Sequence, residues 1–200
     1  MAAGALIPTQ GLVRCEFTLM PQKTRRMGSA GASVEVQTGP TLIMLTVETV
    51  RLSLADARAW SVWLNDRRHR GESFTAFNLF RVNPAGALGT ADGSLGLTVD
   101  IPNKELDLTG TGAYVAKAGD WISYRTANNG YWAGEIREDA TASAGAVTVK
   151  VNPDPMAKHA SAPAVRRVQA LAEFELTTDP GPIEDYVGRS LQFEAMQVIR

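Results

Sequence analysis

Cysteine is almost missing from this chain: Cys15 is the only one in 200 residues. An internal disulfide and an all-cysteine metal cluster are thereby excluded, and the expected state of Cys15 is a buried, inert thiol. Histidine is nearly as scarce. His69 and His159 are the only two, and neither has another His or Cys at zinc-ligand spacing. Charge of one sign is lacking too, with a net charge of −1 and a pI of about 6.1, so no global basic field recruits nucleic acid. No apolar run approaches the ~20 residues of a membrane-spanning helix. The first residues, Met1 to Pro8, lack the basic start of a secretory signal. Synthesis and folding in the cytoplasm, with no membrane partner, are expected.

Catalytic signatures are absent in the same way. Glycines are dense over residues 85–112, yet no Gly-Lys-Ser or Gly-Lys-Thr occurs and no helical pattern follows, so turns and hairpin tips are predicted there instead of a phosphate loop. Serines occur without a Gly-x-Ser-x-Gly elbow. Glu184-Asp185 adjoins a Pro/Gly turn, where exposed acids are common. What remains is a pair of carboxylates meeting in space. No enzyme activity, cofactor or metal is expected.

What is present is material for a core, 44% hydrophobic residues, and one stretch with every mark of a helix. Ser53 caps its start, with Asp56 three residues on to complete a capping box. Ala57, Trp60, Trp63 and Leu64 fall on one face. Arg67, Arg68, His69 and Arg70 crowd the last turn, where the helix dipole favours cations, and Gly71 supplies a left-handed stop. The helix is predicted over 53–70.

Around it the period is 2. Strands are predicted near Leu12 to Leu19, near Val34 and Val36, over 41–52, from Phe74, and at Leu95 to Ile101 and Leu106 to Leu108. A small β-unit spans 113–151: Trp121 to Arg125, a two-residue turn at Asn129-Gly130, a return through Tyr131 and Trp132 to Ile136, then Val147, Val149 and Val151 on one face. The Pro- and Ala-rich residues 153–164 suit a return linker. Between Arg166 and Leu176 the positions Val168, Ala170, Ala172, Phe174 and Leu176 form an apolar face, with Arg167, Gln169, Glu173 and Glu175 opposite and Leu171 an exception; Leu191, Phe193 and Ala195 repeat the alternation. The late strands need the early ones as partners. A mainly β fold is predicted: a β-sandwich with one α-helix from residues 1–84 and 165–200, and a small inserted barrel-like (OB-like) β-domain at 85–164.

Two segments carry a family resemblance. The helix ending in Trp63-Leu64, with Arg68, Gly71 and the aromatic strand of Phe74 and Phe77, preceded by the strand 41–52, resembles the N-terminal domain of distal tail proteins and related minor tail proteins of long-tailed bacteriophages. Lys117-Ala118-Gly119-Asp120-Trp121, the hairpin, the turn from Asp139 to Gly145 and the valine strand ending at Asn152-Pro153 resemble the inserted β-domain of many phage minor tail proteins. Together they cover most of 34–176. The resemblance implies a structural virion protein of the tail tip, assembled in the host cytoplasm. Such subunits form a ring, usually a hexamer, joining the tail tube protein to the tail hub protein, with genome DNA passing only through the lumen.

Two residue groups stand out as candidate contact sites. Residues 21–33, with Gly28, Gly31, Lys23, Arg25 and Arg26, read as an exposed basic loop, and its three cations have no evident partner nearby in the chain. They are candidates for a subunit interface. Trp121, Tyr124, Tyr131 and Trp132 are either the core of the small β-unit or a platform on which host sugars stack. The alternatives to a ring subunit are accordingly a hub-attached adaptor of the same tip or a carbohydrate-binding module.

Overall fold

The computed structural model describes residues 5–27, 33–70, 72–155, 159–160, 164–178, 180 and 188–198. Gly28, Gly31, Gly71 and Glu184-Asp185 lie outside them, as do the side chains of Arg25, Arg26, His69 and Arg70. In chain order come β1 (Ala5–Leu6), β2 (Leu12–Met20), β3 (Lys23–Met27), β4 (Ser33–Gln37), β5 (Leu42–Arg51), α1 (Leu54–Arg70), β6 (Phe74–Phe77) and a 3-10 turn (Leu79–Arg81). There follow β7 (Gly96–Asp100), β8 (Glu105–Thr109), β9 (Val115–Ala116), β10 (Trp121–Arg125), β11 (Tyr131–Ile136), β12 (Ala140–Thr141), β13 (Ala146–Asn152), β14 (Leu171–Leu176) and β15 (Ser190–Gln197). The fold is mainly β with one α-helix.

The larger sheet has the order β1-β6-β14-β15-β5-β2. Its ladder sets Cys15, Val47 and Phe193 in one row and Phe17, Leu45 and Ala195 in the next, all of them buried. Every second residue therefore points to a single inner face. The sheet curls around that face. Phe17 on edge strand β2 meets Phe174, three strands away, at 5.2 Å between ring centroids, and the Cys15 thiol reaches the Phe77 carbonyl at 3.0 Å.

Helix α1 closes the inner face. Trp60 is fully buried 6.2 Å from Phe193 and donates its indole N–H to the Gln10 carbonyl at 3.0 Å. Trp63 stands edge-on to Phe74 at 4.9 Å but is only half-buried. At the helix start the Ser53 hydroxyl accepts from the Asp56 N–H at 3.2 Å and donates to the Asp56 carboxylate at 2.7 Å. The second arm of the expected box thus returns to the hydroxyl instead of the Ser53 backbone.

A five-stranded sheet, β10-β11-β13-β8-β7, and the small pair β12-β9 make up the middle of the chain. Leu106, Leu108, Val147, Val149 and Val151 alternate inward against Ile122, Tyr124, Trp132 and Ile136. The sheet is open: among the described residues β7 pairs only with β8, and no ladder joins it to β10. The expectation of a barrel-like unit is corrected to that extent. The β10–β11 connection is also wider than expected. Arg125 faces Tyr131, the loop is closed by Thr126 N–H to the Gly130 carbonyl at 3.0 Å, and Asn129 (φ 64°) is its left-handed residue.

Two apolar clusters result. One gathers Ile7, residues of β2, β5, α1, β6, β14 and β15, and Trp121 and Ala133 of the middle sheet, and the other lies within residues 95–165. In the first, Trp121 stands edge-on to Phe17, 5.1 Å and 82°. The Gln169 N–H donates to the Val82 carbonyl at 2.8 Å, so the stretches flanking 85–164 run side by side. The last long alternation is shorter than its pattern implied. β14 begins only at Leu171, and Arg167, expected opposite the apolar face, turns inward and is 1% exposed.

Candidate functional site

The basic segment is strand, not loop. β3 and β4 pair with each other, Lys23 opposite Gln37 through Met27 opposite Ser33, and with no other strand among the described residues. They continue β2 and β5, whose last pair is Met20 with Leu42. Pro21 and Pro40 mark the break, because proline donates no ladder hydrogen bond. Across it one bond survives, Thr38 N–H to the Gln22 carbonyl at 2.9 Å. A two-stranded arm thus runs on from the end of the sheet.

None of the arm's described strand side chains is buried. Lys23, Thr24, Glu35, Gln37 and Thr38 are exposed, and so is Val36 at 45%. Lys23 pairs with Glu35 at 3.4 Å, which corrects the expectation that its charge has no partner in the chain. With both side chains more than half exposed the pair contributes about 0–1 kcal/mol at most. Arg25 and Arg26 occupy ladder positions opposite Glu35 and Val34.

The aromatic group is dispersed among interior positions. Trp121 belongs to the first cluster, while Tyr124 and Trp132 stack on each other at 4.9 Å in the second. All three are at most 5% exposed, so their faces are covered by protein. Tyr131 alone is half-buried. Of the two readings of these residues, interior packing describes what Trp121, Tyr124 and Trp132 do.

The Lys117-to-Asp120 motif proves to be a turn held by carboxylates. Gly119 takes φ 89°, and the buried Asp120 accepts from the N–H groups of Ala85, Gly86 and Lys117 at 2.7, 3.3 and 3.3 Å. Asp139 accepts from Lys117 Nζ at 2.5 Å and from Ala118 N–H at 2.9 Å. Those bonds, the lysine's foremost, hold its carboxyl below the usual range. Cys15 is buried, and desolvation pushes its thiol up to about 12, far from the thiolate that redox or acyl chemistry requires.

Among the described residues no group of three His, Cys, Asp or Glu side chains is placed to hold a metal ion, and no helix is long and apolar enough to cross a membrane. A groove of about 370 Å³ between the ends of α1 and β14 is lined by Arg67, Arg68, Glu72 and Glu175, with Thr177 and Thr178. Its charges are balanced, and Arg67 is already bound to Glu72 at 2.8 Å. The arm had two signals in the sequence, its three cations and the Val34–Val36 alternation that predicted β4. β3 had no strand signal, since its Lys-Thr-Arg-Arg-Met run shows no apolar alternation. No protein-family model and no curated protein matches the chain.

Proposed function

We propose that this protein is a structural subunit of a long-tailed bacteriophage tail tip, forming a ring between the tail tube and the hub, with DNA passing through its lumen. The observation that carries the reading is the β3–β4 arm. An isolated two-stranded hairpin is marginal in water, and this one pairs with no other strand among the described residues and holds its described strand side chains in solvent. Such an element is stabilised when a neighbouring molecule covers it, and closed cyclic symmetry lets every copy both give and receive that contact. The resemblance of the α1–β6 and 117–153 segments to distal and minor tail proteins supplies the biological setting. As the aromatic candidates are mostly interior, nothing in the geometry favours the carbohydrate-binding alternative.

The test is the mass of the purified chain by analytical ultracentrifugation, with negative-stain imaging, alone and mixed with tail tube protein from the same phage. Closed rings with an open centre that cap tubes are expected. A chain that stays monomeric at all concentrations and ignores tubes overturns the proposal.

A further inference from the structure

The arm and the sheet it leaves carry opposite charge. β3 holds Lys23, Arg25 and Arg26, against Glu35 alone on β4. The sheet's outer face over β2, β5 and β15 carries Glu16, Glu48 and Glu194 against Arg14 and, in the end row with Ser190, Arg51. Its ladder sets Arg14, Glu48 and Gln192 in one row, Glu16, Thr46 and Glu194 in the next, and Thr18, Met44 and Met196 in a third. Helix α1 packs on the opposite face through Phe193, leaving Glu16, Glu48 and Glu194 half-exposed. Arg14, the one cation in these three rows, is bound to Glu16 at 2.6 Å. Among the described residues Glu48 and Glu194 have no ion-pair partner. Beside them lie half-exposed Met44 and Met196 and exposed Met20, side chains that adapt readily to a partner surface.

An arm cannot serve its own face. It leaves the sheet at the Met20–Leu42 pair, and Glu48 lies six residues back along β5, about 20 Å in the opposite direction at the usual strand rise. Resting on the ring reading above, the geometry points to a specific subunit contact: the β3–β4 arm of one copy docks across the outer face of β2, β5 and β15 of a second copy. The cations of β3 meet Glu48 and Glu194 there, and Val36 meets the methionines. Arm and acceptor are different surfaces, so the contact is head-to-tail and closes into a ring when the rotation between copies permits. Charge complementarity also fixes which surface is chosen, because like charges brought together weaken the contact strongly.

Charge reversal in two matched variants tests this. Arg25→Glu/Arg26→Glu makes the arm acidic, and Glu48→Lys/Glu194→Lys makes the face basic. Each variant alone should associate at least tenfold more weakly than the native chain by sedimentation. A 1:1 mixture should recover association as alternating copies, because an acidic arm then meets a basic face and a basic arm an acidic one. Recovery on mixing cannot come from unfolded chains, so it separates the contact from a folding defect. Native-like association of either variant alone, or no recovery on mixing, overturns this contact while leaving a ring assembled through another surface intact. A native chain that never associates overturns the ring reading and the contact together.

Discussion

Arg167 and Asp92 are joined in a pair, Nε to Oδ1 at 2.8 Å, across 75 positions of sequence, with Asp92 partly exposed. The Arg167 side chain is completely covered. It also donates to the carbonyls of Leu88, at 2.6 Å, and Thr90, and lies over the Tyr114 ring at 4.6 Å. Asp92 in turn accepts from the N–H groups of Arg167 and Val168. The pair therefore pins the 88–92 loop to the stretch just before β14. Asp92→Ala leaves a guanidinium buried without its counter-ion, and the expected loss is about 3–5 kcal/mol. Chemical denaturation of the variant measures it, and a loss under 1 kcal/mol would show that the pair is dispensable.

The two helix tryptophans should differ. Trp60 is fully enclosed and hydrogen-bonded, so Trp60→Ala should cost about 3–5 kcal/mol. Trp63 is half-buried, and its truncation should cost clearly less. Equal losses in urea melts would contradict this order.

Excision of residues 85–164 with a short Gly/Ser bridge should leave a cooperatively folding remainder, because the Val82–Gln169 hydrogen bond already holds the two junctions together. Arg167 loses its partner in that variant but also its burial. Phe17 loses the edge of Trp121, so the melting temperature should fall. Near-ultraviolet circular dichroism without a cooperative transition would rule out an independent first unit.

Alkali should weaken the fold in a defined window. Burial raises Cys15 from an ordinary 9.0 to about 12, and burial raises Tyr114 from 10.0 to about 12 against the pull of Arg167. Both groups are neutral in either state below pH 9, so they leave stability unchanged there. Above pH 9 for Cys15 and above pH 10 for Tyr114 the unfolded chain loses protons first, and each group lowers stability by about 1.4 kcal/mol per pH unit until its folded pKa is reached. Denaturant titrations between pH 8 and 11.5 should show the decline, and Cys15→Ala should remove its first part, between pH 9 and 10. An identical decline in that variant would assign it elsewhere.

The sequence by itself determined the elements whose signals are local. Ser53 and Asp56 marked the start of α1, and the valines of β13 and the alternation of β15 marked half-buried strands, because side-chain period and capping chemistry are decided within a few residues. The basic cluster at Lys23, Arg25 and Arg26 was legible as charge. Its ladder was not: Val34 and Val36 marked β4, but Lys-Thr-Arg-Arg-Met shows no apolar alternation, so β3 read as loop. Tertiary structure alone decided the curl that brings Phe17 to Phe174, the inward turn of Arg167, whose partner lies 75 positions away, and the half-exposure of Trp63. Each depends on which distant surfaces meet, and periodicity along the chain specifies which face is apolar without specifying what will cover it.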